Sequence, residues 1–183
     1  MDRIEAVQLM EKYVTNTNLR KHCLAAEFVM RRLARHFGED KKIWGLAGLL
    51  HDIDYDQTKD DPARHSQVGA DLLAELGLPE EVVYAVRVHN EYHGLPRLSR
   101  LDKALYSVDP TTGLIVAGAL IRPEKKLAAV DVPFLVNRFH EKSFARGANR
   151  EQIQACTELG LSLEEFLGLA LEAMQEHSEE LGL

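Results

Sequence analysis

The sequence predicts an all-α bundle of about eight to ten helices. Three observations carry that expectation. Apolar residues recur at helical spacing nearly throughout, no stretch alternates with a period of two between turns, and capping residues punctuate the chain at short intervals. With 183 residues, 45% of them hydrophobic and 28% charged, the chain has enough apolar material for a packed core. That excludes disordered and fibrous classes. A single domain over 1–183 is expected, with a core over about 18–120 and a C-terminal helical extension over about 127–183.

The elements follow in order. Ile4, Val7, Met10 and Val14 mark a first helix. Asn18 is the expected cap of a second, which runs to Phe37 and stops at Gly38. A third, Lys42–His51, is apolar almost all round, the pattern of a central helix. After a polar loop at 54–61, Asp61-Pro62 reads as a cap followed by a first-turn proline, opening a fourth helix to Leu76. Pro79 opens a fifth through Asn90. Ser99 caps a sixth that ends near Val108, and Asp109-Pro110 reads as the start of a separate seventh. Shorter helices are expected at 132–140 and 150–159. Ser162 and Glu165 form a capping box for the last, which ends near Leu181.

Charge and cysteine content narrow the function. Acidic residues outnumber basic ones, 29 to 22, for a net charge of −7, so a general polyanion-binding surface is not expected and nucleic acid is not an expected partner. The two cysteines, Cys23 and Cys156, lie far apart, which fits a reducing cytoplasm rather than a disulfide scaffold. The N-terminal segment has no signal-peptide pattern, and apolar runs such as Leu114–Ile121 are too short for a bilayer, so no membrane association is expected.

The unusual feature is histidine, eight in 183 residues. Metal-capable side chains occur in the order His22, His51-Asp52, His65, His89 and Asp109, at intervals of 29, 13, 24 and 20 residues. Those intervals put the ligands on different helices, so tertiary folding must assemble the site. Imidazole with carboxylate suits Mn, Fe, Co, Ni or Zn, whereas calcium wants an oxygen shell. His51 and Asp52 can both point inward only where a helix is ending, because successive side chains diverge by about 100°. A charge at the end of so apolar a helix is costly unless it is paired or metal-bound. Taken singly, His22 is as well explained as a hydrogen-bonded core residue and Asp109 as an N-cap. His36, His140 and His177 read as surface or loop residues.

The ordered set resembles the HD superfamily of metal-dependent phosphohydrolases. The matching segments are NLRKHCLAAEFVMRRLA, WGLAGLLHDIDYD, ARHSQVGADLLAELGLPEEVVYAVRVHNEYHG and LDKALYSVDPTTGL. The likeness is greatest to small bacterial HDIG-type proteins, and more distant to the HD enzymes that hydrolyse diadenosine tetraphosphate. Asp54 stands where the HDIG form has Gly, and Asn90 where cyclic-di-GMP-degrading relatives have a second adjacent His. The resemblance implies a divalent transition metal held by His22, His51, Asp52 and Asp109, with His65 and His89 adding a second ion in two-metal members. It implies a catalytic role for Asp52 as the bridging carboxylate. The implied reaction is hydrolysis of a small phosphate ester or anhydride, with a nucleotide as the expected substrate. Arg64 and Arg87, beside the proposed ligands His65 and His89, are the expected phosphate contacts, and Asp54 or Asp56 a group that orients water. The competing function is a non-catalytic metal- or nucleotide-binding regulatory module. The C-terminal helices are expected to pack on the domain or to form a homodimer.

Overall fold

The computed structural model describes residues 1–183 and is entirely helical, with no strand. The helices are α1 (Arg3–Tyr13), α2 (Thr17–Phe37), α3 (Lys41–Leu50), α4 (Tyr55–Thr58), α5 (Gln67–Glu75), α6 (Glu80–Val88), α7 (Arg100–Ile121), α8 (Val132–His140), α9 (Arg150–Gln154), α10 (Leu163–Glu176) and α11 (Ser178–Leu181). Short 3₁₀ turns occupy Glu91–His93, Leu127–Ala129 and Ala155–Leu159.

The two longest helices, α2 and α7, form the centre. α2 packs on α3, α7 and α10, while α7 also meets α6, α8 and α9. On α2 Cys23, Ala26, Met30 and Leu33 are buried, with Leu19 and Phe37 partly covered. One apolar cluster of 47 buried residues extends from Ala6 to Leu181. The C-terminal helices contribute Ile153, Phe166, Leu167, Ala170 and Met174 to that same cluster.

Three boundaries differ from the sequence expectation. The cap of α2 is Asn16, whose side chain accepts from the Asn18 and Leu19 amides; Asn18 already lies inside the helix. Asp61-Pro62 opens no helix, because residues 61–66 form turns and α5 starts only at Gln67. The expected sixth and seventh helices are one continuous α7, so Asp109 is an interior helical residue and not an N-cap. Asp-Pro normally signals a start because proline lacks a donor and costs about 3 kcal/mol inside a helix. Here Leu105, Val108, Leu114 and Ile115 are all fully buried on either side of Pro110, and that packing carries the helix through. Thr111 adds a bond by donating its hydroxyl to the Ser107 carbonyl. At 22 residues α7 has the length and apolar composition of a membrane-crossing helix, but 67% of its most apolar window is buried within the protein. His177 lies, as expected, at the surface between α10 and α11, where its ring also stacks on Phe28 at 3.8 Å.

At Gly48 the backbones of α2 and α3 come close together. A Cβ added at Gly48 would sit 2.7 Å from the Ala26 carbonyl oxygen and 2.9 Å from the Glu27 nitrogen. Only glycine lets the two helices meet there, and this contact sets the distance between His22 on α2 and His51 at the end of α3. Gly48→Ala should therefore destabilise the protein by about 1–3 kcal/mol, measurable as a lower urea midpoint. An unchanged midpoint would show that the helices can separate freely.

Candidate metal centre

Six side chains from five places in the chain converge on one point. His22 comes from the second turn of α2, His51 and Asp52 from the end of α3, and His65 from the turn before α5. His89 follows the last residue of α6, and Asp109 lies in the middle of α7.

Each imidazole has one nitrogen committed to a partner. His51 Nδ1 donates to the Gly48 carbonyl at 2.8 Å, and His89 Nδ1 to the Val86 carbonyl at 2.6 Å. Both rings stand directly after a helix and use a carbonyl three residues back, one of those left without an intrahelical partner. Thr112 donates its hydroxyl to the Asp109 carbonyl and accepts from His22 Nδ1 at 2.9 Å. His65 Nδ1 donates to Asp54 Oδ1 at 3.0 Å. With the proton on Nδ1 in every ring, all four Nε2 atoms carry a free lone pair.

Those lone pairs face carboxylates. Asp52 Oδ2 is 3.5 Å from His22 Nε2 and 3.6 Å from His51 Nε2. Asp52 Oδ1 is 3.5 Å from His65 Nε2 and 3.6 Å from His89 Nε2. Asp109 Oδ1 lies 3.2 Å from His22 Nε2 and 3.8 Å from His51 Nε2, and the latter two nitrogens are 3.0 Å apart. Lone pairs held against carboxylate oxygens repel unless positive charge sits among them. Ligand bonds of about 2.0–2.2 Å place neighbouring donors roughly 3.0–3.6 Å apart around an ion. The donor set and its spacings therefore fit a divalent transition metal, and Asp52 offers one oxygen to each of two groups.

Without a metal, protons take over part of that charge. Burial disfavours the His51 imidazolium, but Asp52 and Asp109 outweigh it and raise its pKa from 6.5 to about 9. His65 moves in the same direction: burial opposes the charged ring, and Asp54 and Asp52 prevail. Burial alone would raise Asp52, yet His51, His89 and His22 hold it well below the usual carboxylate range.

The other expected site residues stand elsewhere. Arg64 is exposed, and Arg87 is drawn aside by Asp71 at 2.6 Å and Gln67 at 2.8 Å. Asp54 does not orient water: it is 1% exposed, with Oδ2 accepting from the Gly69 amide and Oδ1 from His65. A Cβ at Gly69 would lie 3.1 Å from Asp54 Cγ, so the glycine makes room for this carboxylate. Asp56 accepts from the Thr15 amide and hydroxyl and braces the entry to α2. His93 donates to the His65 carbonyl at 2.9 Å, and Asn90 donates to the same oxygen at 3.2 Å. The intervening Ser66 adopts φ 71°, unusual for a residue with a side chain, and its hydroxyl donates to the Arg87 carbonyl. Thr112 and Tyr55, whose ring meets His65 edge-on at 5.2 Å, are neighbours of the ligands that the sequence pattern did not single out, and Asp54 was expected in a different role.

Comparison with known proteins agrees with this geometry. A family model described as HD domain matches residues 19–131. The chain is 30% identical to ribonuclease Y of Desulfotalea psychrophila over 158 residues, 81% of this chain and 29% of that protein. It is 28% identical to ribonuclease Y of Aquifex aeolicus over 147 residues, 78% of this chain and 24% of that one. The chain thus spans less than a third of the length of these relatives.

The raised His51 pKa predicts how the metal-free protein responds to pH. The contribution is fully present below the unfolded value of 6.5 and is lost as pH rises through about 9. Chelated protein should lose on the order of 3 kcal/mol of stability across that window. Metal-loaded protein should not, because the ion replaces the proton. Thermal melts of both forms between pH 6 and 9.5 test this, and parallel curves would count against it.

Proposed function

Because the chain belongs to the HD domain family, we propose that it is a metal-dependent phosphohydrolase whose ions are held by His22, His51, Asp52 and Asp109 at one centre and by Asp52, His65 and His89 at a second. The observation that carries this reading is the placing of Asp52. Its two oxygens face two separate pairs of imidazole nitrogens, which is the arrangement of a bridging carboxylate.

Held by these residues, a divalent ion would supply Lewis-acid chemistry for activating water and polarising a phosphoryl oxygen. The chain supplies the rest. Asp52 and Asp109 would offset the positive charge of the ions. Thr112, Gly48 and Val86 fix the rotation of three imidazoles, and Asp54 fixes the fourth, so no reorganisation is needed as charge develops. Tyr55, whose ring meets His65 edge-on, is partly exposed beside the centre and carries a hydroxyl that is protonated at neutral pH.

The proposed substrate is a small phosphate ester or anhydride, with nucleotides the leading class. The relatives named ribonuclease Y act, by that name, on RNA. A short RNA therefore belongs in the substrate screen alongside nucleoside monophosphates, dinucleoside polyphosphates and cyclic nucleotides.

Protein loaded with Mn or Co should turn over at least one of these. Asp52→Asn keeps the shape and removes the charge, and should lower kcat by at least about 10³-fold while leaving the fold intact by circular dichroism. His140→Ala, an exposed change, is the control and should leave the rate unchanged. Metal analysis should give fewer ions per chain in Asp52→Asn than in the parent. Equal rates in parent and Asp52→Asn would place the chemistry elsewhere. Stable metal binding with no turnover of any phosphate compound would favour the regulatory binding module.

Asp54 is the nearer of two partners of His65 Nδ1, at 3.0 Å against 3.5 Å for the Thr58 hydroxyl, and the only charged one. Asp54→Ala should therefore reduce metal content by about one ion per chain and leave the His22–His51–Asp109 group occupied. Loss of all metal, or of none, would contradict the division into two centres.

A further inference from the structure

The connection between α8 and α9 carries a charge opposite to that of the chain. Residues 138–150 hold Arg138, Lys142, Arg146 and Arg150 against the single acid Glu141, four against one or +3, in a protein of net charge −7. Glu141 is already paired, with Arg138 at 2.6 Å. Lys142 and Arg146 are exposed and meet no carboxylate in the protein. Together with Ala148, Asn149, Arg150 and Glu151 they line a cavity of about 410 Å³, and none of the six side chains of the metal centre lies on it.

Arg150 dictates which way the backbone of this loop faces. Its guanidinium donates to the carbonyls of Arg138, Phe139, Glu141, Phe144, Ala145 and Ala148. A trans peptide holds its C=O and the following N–H on opposite sides. Carbonyls at 141, 144, 145 and 148 that turn in to Arg150 therefore turn the amides of Lys142, Ala145, Arg146 and Asn149 away from it. None of those four amides finds an acceptor in the protein. Three of them belong to residues that line the cavity. Ala145 takes up a φ of 44° in this arrangement, a strained value for a residue with a Cβ.

Outward amides, an ammonium and a guanidinium on one concave surface are donors without acceptors. A compact oxyanion satisfies such a set. Main-chain N–H groups turned to one side form anion-binding hollows, and a guanidinium meets phosphate oxygens two at a time. Glu151 is the only carboxylate in the lining, against Lys142, Arg146 and Arg150, so the cavity stays positive. We propose that the loop at residues 141–149 is a binding site for a phosphate group, separate from the metal centre, with the main-chain amides and the side chains of Lys142 and Arg146 as its donors. The free ion and the terminal phosphate of a monoester share that chemistry. The site stands on the geometry of the loop and does not rest on the phosphohydrolase reading.

The test follows the amide resonances of Lys142, Arg146 and Asn149 in the zinc-loaded full chain as inorganic phosphate is added near neutral pH. They should shift saturably, and sodium chloride at matched ionic strength should not move them. Lys142→Ala and Arg146→Ala should each weaken phosphate at these resonances by about threefold to tenfold, and the double variant by more than about tenfold. Both side chains are exposed and unpaired, so circular dichroism of the variants should match the parent. Lys41→Ala, an exposed cation outside the loop, should keep the parental affinity. Methyl phosphate separates the two sources. Binding of both compounds assigns the site to the terminal phosphate of a larger molecule, and binding of the free ion alone assigns it to inorganic phosphate. Shifts confined to amides around the metal centre, equal shifts with sodium chloride, or parental affinity in the double variant would each overturn the site.

Discussion

The organisation of this protein depends on one buried charge. Asp52 follows the most apolar helix of the chain and is only 6% exposed, where an uncompensated carboxylate would cost several kcal/mol. Everything that meets it brings compensation. Four imidazole nitrogens surround its two oxygens within 3.6 Å, and each imidazole is itself held by a second partner. The helices that deliver these rings are held together by the common apolar core, so burial supplies the driving force and the polar centre sets how the helices are aligned. Gly48 shows the two acting on one residue: its missing side chain admits the Ala26 backbone, and its carbonyl orients His51.

Much of this was legible in the sequence. The order and spacing of His22, His51-Asp52, His65, His89 and Asp109 named the six side chains that meet. Periodicity placed most of the helices, because their apolar stripes coincide with real burial. What escaped was decided by tertiary packing. Asp109-Pro110 carries every local mark of a helix start, and only the buried residues on both sides hold α7 continuous through it. Asp61-Pro62 carries the same mark and starts nothing, because the chain there must turn sharply to aim His65 at the centre. Local sequence is blind to such a demand, which shows in the positive φ of Ser66.

The supporting residues were harder to read than the ligands themselves. A histidine reveals its chemistry by type, whereas Thr112 and Asp54 look like any helical threonine or loop acid until their partners are known. The carbonyls of Gly48 and Val86 carry no side-chain signal at all. Their common feature is positional: each lies three residues before a histidine that stands just after a helix. That spacing, applied to a helix end before an apolar stretch, is a physical criterion that could have been stated beforehand. Arg87 shows the converse, since closeness in sequence to a ligand says nothing of direction, and its guanidinium points to Asp71.

The means by which the rings are held divides each half of the centre in the same way. His51 and His89 are held by the carbonyls of Gly48 and Val86, which no side-chain substitution at those positions removes. His22 and His65 hang instead on side chains, those of Thr112 and Asp54. Each half therefore pairs a ring moored to the main chain with one moored to a replaceable group, so a single point substitution can loosen one ring of either half and leave its neighbour aimed as before.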